Sequence, residues 1–210
     1  MVALGAAAFV AVARGQAPSQ DNLKKANARP TASPSPRPEP FDGASVEQMT
    51  GQCVTLETEQ GAIIFEVLPD KAPRTVRSFL NLVASGALDT TTFSRVVRGF
   101  VIQGGNLSTS EKWNADLAAR MQRTLADEPN DVNHLRGIVS MARTDEPHSA
   151  TTHFFILVGA GPHLDGKFAA FGRVIRGMEV ADAISRAELE GERPVVPVRI
   201  THATVSRCAK

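Results

Sequence analysis

The strongest constraint on this chain is the rhythm of its residues from 53 onward. Cys53-Val-Thr-Leu-Glu-Thr-Glu59 alternates apolar and polar side chains, the period-two pattern of a half-buried strand. Gln60-Gly61 then turns the chain into Ile63-Ile-Phe-Glu-Val-Leu68, which predicts a hairpin. Further strands are predicted over 93–97, 100–103, 137–142, 153–158, 168–175 and 195–205. Helical spacing occurs in two places. Pro73 suits a first turn, Val76, Phe79, Leu80 and Val83 follow on one face, and Gly86 ends the run. A second helix is predicted over about 178–187, with Val180, Ala183, Ile184 and Ala187 on one face. Eight short strands with two helices do not read as an alternating βαβ array. They predict a mainly β domain over 51–210: a closed eight-stranded antiparallel β-barrel capped by two α-helices.

The N-terminal quarter is different. Met1-Val-Ala-Leu-Gly-Ala-Ala-Ala-Phe-Val-Ala-Val-Ala13 is a short apolar run, followed by the small-x-small pattern Gly15-Gln-Ala17. Residues 1–17 therefore read as a signal-peptide-like segment without a basic n-region; a buried or flexible helix is the plain alternative. Residues 18–50 are poor in large apolar side chains and carry the run Arg29-Pro-Thr-Ala-Ser-Pro-Ser-Pro-Arg-Pro-Glu-Pro40. Prolines remove backbone donors and hold their predecessors extended, so this segment is expected to be a disordered, semi-rigid tether. The expected location is periplasmic or secreted.

Charge excludes several functions. Lys and Arg together number 23 and Asp and Glu 22, a net charge of +1, and no basic stripe favours nucleic acid or an anionic membrane. No apolar run reaches the ~20 residues of a membrane span, so no stable membrane insertion is expected after processing. Two cysteines do not build a zinc site, and the histidines (His134, His148, His153, His163, His202) form no metal-binding pair with an acidic residue between them. Gly161-Pro-His-Leu-Asp-Gly166-Lys167 has phosphate-loop spacing, but Phe168 stands where Ser or Thr should hold magnesium, and Asp165 would repel phosphate. No Gly-x-Ser-x-Gly elbow occurs. A non-covalent site with no metal and no cofactor remains.

In Phe93-Ser-Arg-Val-Val97, strict alternation places Arg95 with Phe93 and Val97. A snorkelling stem or a slipped register is the bland reading; the sharper one is an arginine turned into a site. Val101 and Gln103 share a face in Gly99-Phe-Val-Ile-Gln-Gly-Gly105, whose final glycines permit a sharp turn or close backbone approach. His153 and Phe155 share a face in Thr152-His-Phe-Phe-Ile156. Were these strands neighbours, an arginine, a glutamine, a histidine and an aromatic ring would converge on one concave, ligand-sized surface.

Phe93-Ser-Arg-Val-Val-Arg-Gly-Phe-Val-Ile-Gln-Gly-Gly105, Ser140-Met-Ala-Arg143, His153-Phe-Phe155, Leu164-Asp-Gly-Lys167 and Phe171-Gly-Arg-Val174 together resemble the cyclophilins, in that family's order and spacing, most closely the bacterial exported type. The resemblance implies a peptidyl-prolyl cis-trans isomerase without a cofactor, acting on proline-containing polypeptides. It implies that Arg95 is catalytic and that Phe100, Val101, Phe155 and Leu164 receive the prolyl ring. Gln103 would orient the substrate carbonyl, and Ala142 and Arg143 would form the strand edge that meets substrate backbone. His153 stands where glutamine is usual, His163 where some members carry tryptophan, and Phe168 where many have histidine. These positions bear on substrate preference and imply weakened binding of cyclosporin-like cyclic peptides.

Cys53 opens the first strand and Cys208 closes the last. An antiparallel pairing of the terminal strands lets them face each other, and an exported compartment would permit a disulfide; two unpaired thiols are the alternative. The expected function is an isomerase, acting as a monomer, that assists folding of exported proteins. A prolyl-peptide-binding chaperone or assembly module with incidental turnover is the rival.

Overall fold

The computed structural model describes residues 38–209. The predicted signal-peptide-like segment and most of the predicted tether lie outside these residues. Residues 38–50, expected within the tether, instead carry a turn at 40–43 and helix α1 (Val46–Met49), both in the compact unit that begins at Pro38. Ser45 and Gln48 close a reciprocal capping box around α1, and Met49 is fully buried. The Phe41 N–H donates to Asn81 Oδ1 at 2.7 Å, and Glu39 pairs with Arg120.

The strands are β1 (Gln52–Thr58), β2 (Gly61–Val67), β3 (Arg95–Val97), β4 (Val101–Gly104), β5 (Ile138–Met141), β6 (Phe154–Leu157), β7 (Ala170–Arg176), the two-residue pieces β8 (Leu189–Glu190) and β9 (Arg193–Pro194), and β10 (Ile200–Arg207). Eight of them form one antiparallel sheet in the order β10-β1-β2-β7-β5-β6-β4-β3, while β8 and β9 pair separately. The sheet is curled, but the predicted closure is not made by a strand ladder. Its end strands approach through a single bridge, Thr92 to Arg199, flanked by Phe93 N–H to Val198 O and Ile200 N–H to Thr91 O. The last strand starts at Ile200 rather than 195, since Val195 and Val196 are exposed and Pro197 has no N–H to give a ladder.

Helix α2 (Pro73–Ala84) buries Val76, Phe79, Leu80 and Val83 as its spacing requires. Ala72 supplies no side-chain cap, and the first free N–H groups, of Arg74 and Thr75, donate instead to the two carboxylate oxygens of Glu128. The Phe79 ring lies 4.8 Å from Phe171 and 5.1 Å from Phe154, at the centre of the main core. Helices α3 (Ala115–Met121) and α4 (Met178–Ser185) follow. In α4 the buried stripe is Val180, Ala181 and Ile184, so Ala183 is replaced on that face by Ala181. With α1 and α3, the described residues contain two short helices more than predicted.

Alternation along β4 and β6 separates two apolar layers. Ile102, Phe154 and Ile156 enter the main core, while Val101, Phe155 and Leu157 join Ile138, Leu164 and Ala170 in a second cluster on the opposite face. That second face carries the candidate site.

Candidate active site

One row of side chains crosses four strands. Arg95 on β3 faces Gln103 on β4, Gln103 faces Phe155 on β6, and Phe155 faces Ser140 on β5. The ladder between β5 and β7 shifts register between Val139 and Ser140, an irregularity of the kind that re-aims side chains beside functional sites. Past Gln103, Gly105 has φ of 83°, and a Cβ there would meet Thr152 O at 2.1 Å. Only glycine lets β4 leave the sheet that closely.

The Arg95 Nε–H donates to Glu192 Oε2 at 2.7 Å and its Nη1 to Gln103 Oε1 at 3.1 Å. Because a guanidinium only donates, the Gln103 oxygen must face it, which leaves the Gln103 Nε2 to donate elsewhere. Alternation had grouped Arg95 with Phe93 facing inward; the structure corrects this. Phe93 lies before β3, outside the ladder, and is fully buried in the main core, whereas the Arg95 side chain is 45% exposed on the outer face. The arginine borders the site from the sheet's outside, with Val96 taking the inward position.

Beside Arg95 is an apolar slot of about 220 Å3, smaller than the roughly 300–1,000 Å3 of drug-sized pockets. Phe100, Val101, Ala142, Phe155, Leu164 and Phe168 form its walls, and Arg95, Gln103 and Arg143 its polar border. The turn between β3 and β4, closed by Phe100 N–H to Val97 O, delivers Phe100 to the rim. His163 does not line the slot; it is exposed and lies against the outer side of Phe100 with ring centroids 5.3 Å apart. His153 lines a neighbouring, more polar pocket of about 500 Å3 together with Arg95, Gln103, Ala142, Arg143 and the hydroxyl residues Thr144, Ser149 and Thr151. Burial pushes the His153 imidazole below its ordinary pKa.

Arg143 and Phe168, expected at the strand edge and at a position bearing on substrate preference, are partners. The Arg143 guanidinium lies 5.0 Å from the centroid of Phe168, whose ring meets Phe155 edge-on at 6.0 Å. Arg143 is further fixed by bonds to Thr144 O and Lys167 O. A cation on the ring face therefore stiffens one slot wall.

Beneath the slot is a polar chain that pattern reasoning missed. His134, fully buried, accepts or donates at Nε2 to Ser140 Oγ (3.2 Å) and at Nδ1 to Asp165 Oδ1 (3.1 Å), and its backbone N–H also donates to Asp165 Oδ1. A carboxylate only accepts, so Nδ1 carries the proton and the Ser140 hydroxyl donates to Nε2 in the neutral ring. Burial holds the His134 pKa below the ordinary histidine value against the opposing pull of Asp165, while hydrogen bonds from His134, its backbone N–H first, hold Asp165 below the ordinary carboxylate value. This chain ties the Leu164 loop to the strand behind Phe155. It resembles a nucleophile–base–acid arrangement, but Ser140 and His134 have no exposed surface. Asp165 and Ser140 lie inside the motifs that carry the resemblance; nothing in their spacing announced His134 as their link. Glu192 was also missed, being 97 residues from Arg95.

Cys53 and Cys208 are joined in a disulfide, with Cα atoms 4.9 Å apart. Among the described residues no helix is long and apolar enough to cross a membrane.

The family model of cyclophilin-type peptidyl-prolyl cis-trans isomerases matches residues 53–205. Peptidyl-prolyl cis-trans isomerase A of Dickeya dadantii is 41% identical over 150 residues, 69% of this chain and 77% of that protein. Peptidyl-prolyl cis-trans isomerase B of Escherichia coli is 36% identical over 167 residues, 73% of this chain and 99% of that one. Among solved structures, a Cryptosporidium parvum cyclophilin-type isomerase determined in the presence of the dipeptide Ala-Pro superposes with a TM-score of 0.65 at 28% identity, covering 73% of this chain and 98% of that one. With a family match over residues 53–205 and relatives at this identity, the chain belongs to the cyclophilin-type peptidyl-prolyl cis-trans isomerases, enzymes that turn the peptide bond preceding proline.

Proposed function

We propose that Arg95 is the catalytic residue and that the adjoining slot holds the prolyl ring of a polypeptide substrate. The observation that carries this reading is the row Arg95–Gln103–Phe155 at the edge of an apolar slot. Turning a peptide bond meets a barrier of ~18–20 kcal/mol because resonance gives the C–N bond double-bond character. No covalent step is needed, only tighter binding of the twisted amide than of either planar form. In the twisted amide the prolyl nitrogen regains its lone pair, and a guanidinium donor aimed at that nitrogen favours this geometry alone. Gln103, with its amide hydrogens free, orients the carbonyl while the slot keeps the ring still. A thousandfold acceleration takes about 4 kcal/mol. One charge-assisted hydrogen bond contributes about 1.5–3 kcal/mol, and fixed dipoles around the slot supply the remainder.

The substrates are exported polypeptides, and the enzyme works outside the cytoplasm on their proline-limited folding. The apolar run over 1–13 and the Cys53–Cys208 disulfide, a bond favoured in oxidising compartments, support this. Cyclosporin-like cyclic peptides bind the same site more weakly, because His163 stands where some relatives carry tryptophan and lies beside Phe100 rather than lining the slot. Titration of isotope-labelled protein with a short Xaa-Pro peptide tests the site. Resonances of Phe100, Gln103, Ala142 and Phe155 are expected to move first; shifts confined to other surfaces would reject it.

A further inference from the structure

We propose that Glu192 is a positioning residue for catalysis: its carboxylate holds the Arg95 guanidinium in the orientation that meets the twisted amide. This rests on Arg95 being the catalytic donor. A guanidinium has five N–H donors. Here the Nε–H is taken by Glu192 Oε2 at 2.7 Å and one Nη1–H by Gln103 Oε1 at 3.1 Å. Two anchors at two different nitrogens fix both the torsions of the stem and the plane of the fork, and they leave the Nη2 end for substrate. Gln103 alone would leave the plane free to rotate about a single bond.

Glu192 is delivered by a built element. Glu190 pairs with Arg193 across β8 and β9, so Gly191 and Glu192 are the two residues of the hairpin turn, with Gly191 at φ of 65°. The backbone oxygen of Glu192 accepts the N–H of Val96, next in sequence to Arg95, at 2.8 Å. The same chain segment grips the β3–β4 turn twice more: Ala187 O accepts from Arg98 Nη2 at 2.9 Å, and Ser185 Oγ accepts the Gly99 N–H at 3.2 Å. The covering of the β3 edge thus carries a carboxylate to Arg95 from the side away from the slot. Both side chains of the pair are about half exposed, at 45% and 55%, so its contribution to folding stability is slight. Its effect falls on the orientation of the donor.

Isomerisation of one Xaa-Pro peptide by exchange spectroscopy tests this with Glu192→Ala, Glu192→Gln and Arg95→Lys. Glu192→Ala is expected to lower kcat about fivefold, the size of one modest oriented hydrogen bond, with KM within twofold and Tm unchanged. The Arg95 Nε–H resonance should lose its protection from solvent exchange. Glu192→Gln keeps an acceptor for the Nε–H and should recover most of kcat. Arg95→Lys has no Nε–H, so adding Glu192→Ala to it should cost nothing more. Wild-type or higher kcat in Glu192→Ala, or equal further loss in the Arg95→Lys background, overturns the inference while leaving Arg95's role intact. Full turnover in Arg95→Lys and Arg95→Ala overturns both.

Discussion

Removing the Cys53–Cys208 disulfide should lower stability strongly and activity hardly at all. The bond closes a loop spanning 155 positions, nearly the whole described unit. In the chain-entropy account, releasing a loop of that length returns about 5 kcal/mol of freedom to the unfolded chain at 25 °C. A domain of this size loses roughly 2–4 °C of Tm per kcal/mol, so the full effect is about 10–20 °C. The folded state itself keeps its shape without the bond, because β1 and β10 remain paired from Gln52–Arg207 to Thr58–Ile200. The site strands β3, β4, β6 and β5 are separated from β1 by β2 and β7, so kcat/KM at 25 °C should stay within twofold. Thermal unfolding of oxidised protein, reduced protein and Cys53→Ala/Cys208→Ala measures the effect, with the last two expected to coincide. A shift under about 3 °C, or a large loss of turnover at 25 °C, would refute the reasoning.

Phe155→Ala removes a slot wall that is 6% exposed and should weaken peptide affinity and kcat/KM together by about tenfold or more; unchanged affinity in a calorimetric titration would remove Phe155 from the site. Glu128→Ala strips the first turn of α2 of its acceptor and should cost about 1 kcal/mol, read as a fall in Tm of roughly 2–4 °C with activity retained. His134 has a folded pKa below its ordinary value through burial, so the unfolded chain takes up the proton first as pH falls. Its contribution is complete above about pH 6.5 and declines below that, toward the depressed folded value. Denaturation midpoints from pH 7.5 to 5.5 should fall more steeply in wild type than in His134→Asn; identical slopes would assign the titration elsewhere.

Local patterns were legible where one face meets the core. Val76, Phe79, Leu80 and Val83 are all buried as their spacing required, and the β1–β2 hairpin lies where alternation put it. Val101, Gln103 and Phe155 share the outer face, as their parity demanded. Alternation failed between Phe93 and Arg95 because a period of two holds only inside a ladder, and Phe93 precedes it. Helices α1 and α3 are only four and seven residues long, too short for an apolar period; their capping residues Ser45 and Asn114 were the available signals. What was wholly out of reach was long-range polar pairing. His134 with Asp165 and Ser140, and Arg95 with Glu192, are set by topology, and no local spacing encodes such meetings. The pairing of Arg143 with Phe168 is of the same kind, a contact between residues 25 positions apart.

The central claim is that the Arg95 donor acts on the rotating amide rather than on ground-state binding. Exchange rates and dissociation constants for one Xaa-Pro peptide, measured on wild type and Arg95→Ala, separate the two. The expected result is a loss in catalysed exchange of about 10- to 150-fold, from about 1.5–3 kcal/mol of transition-state stabilisation, with Kd changed less than about threefold. Equal losses in exchange and affinity, or none in either, would contradict it.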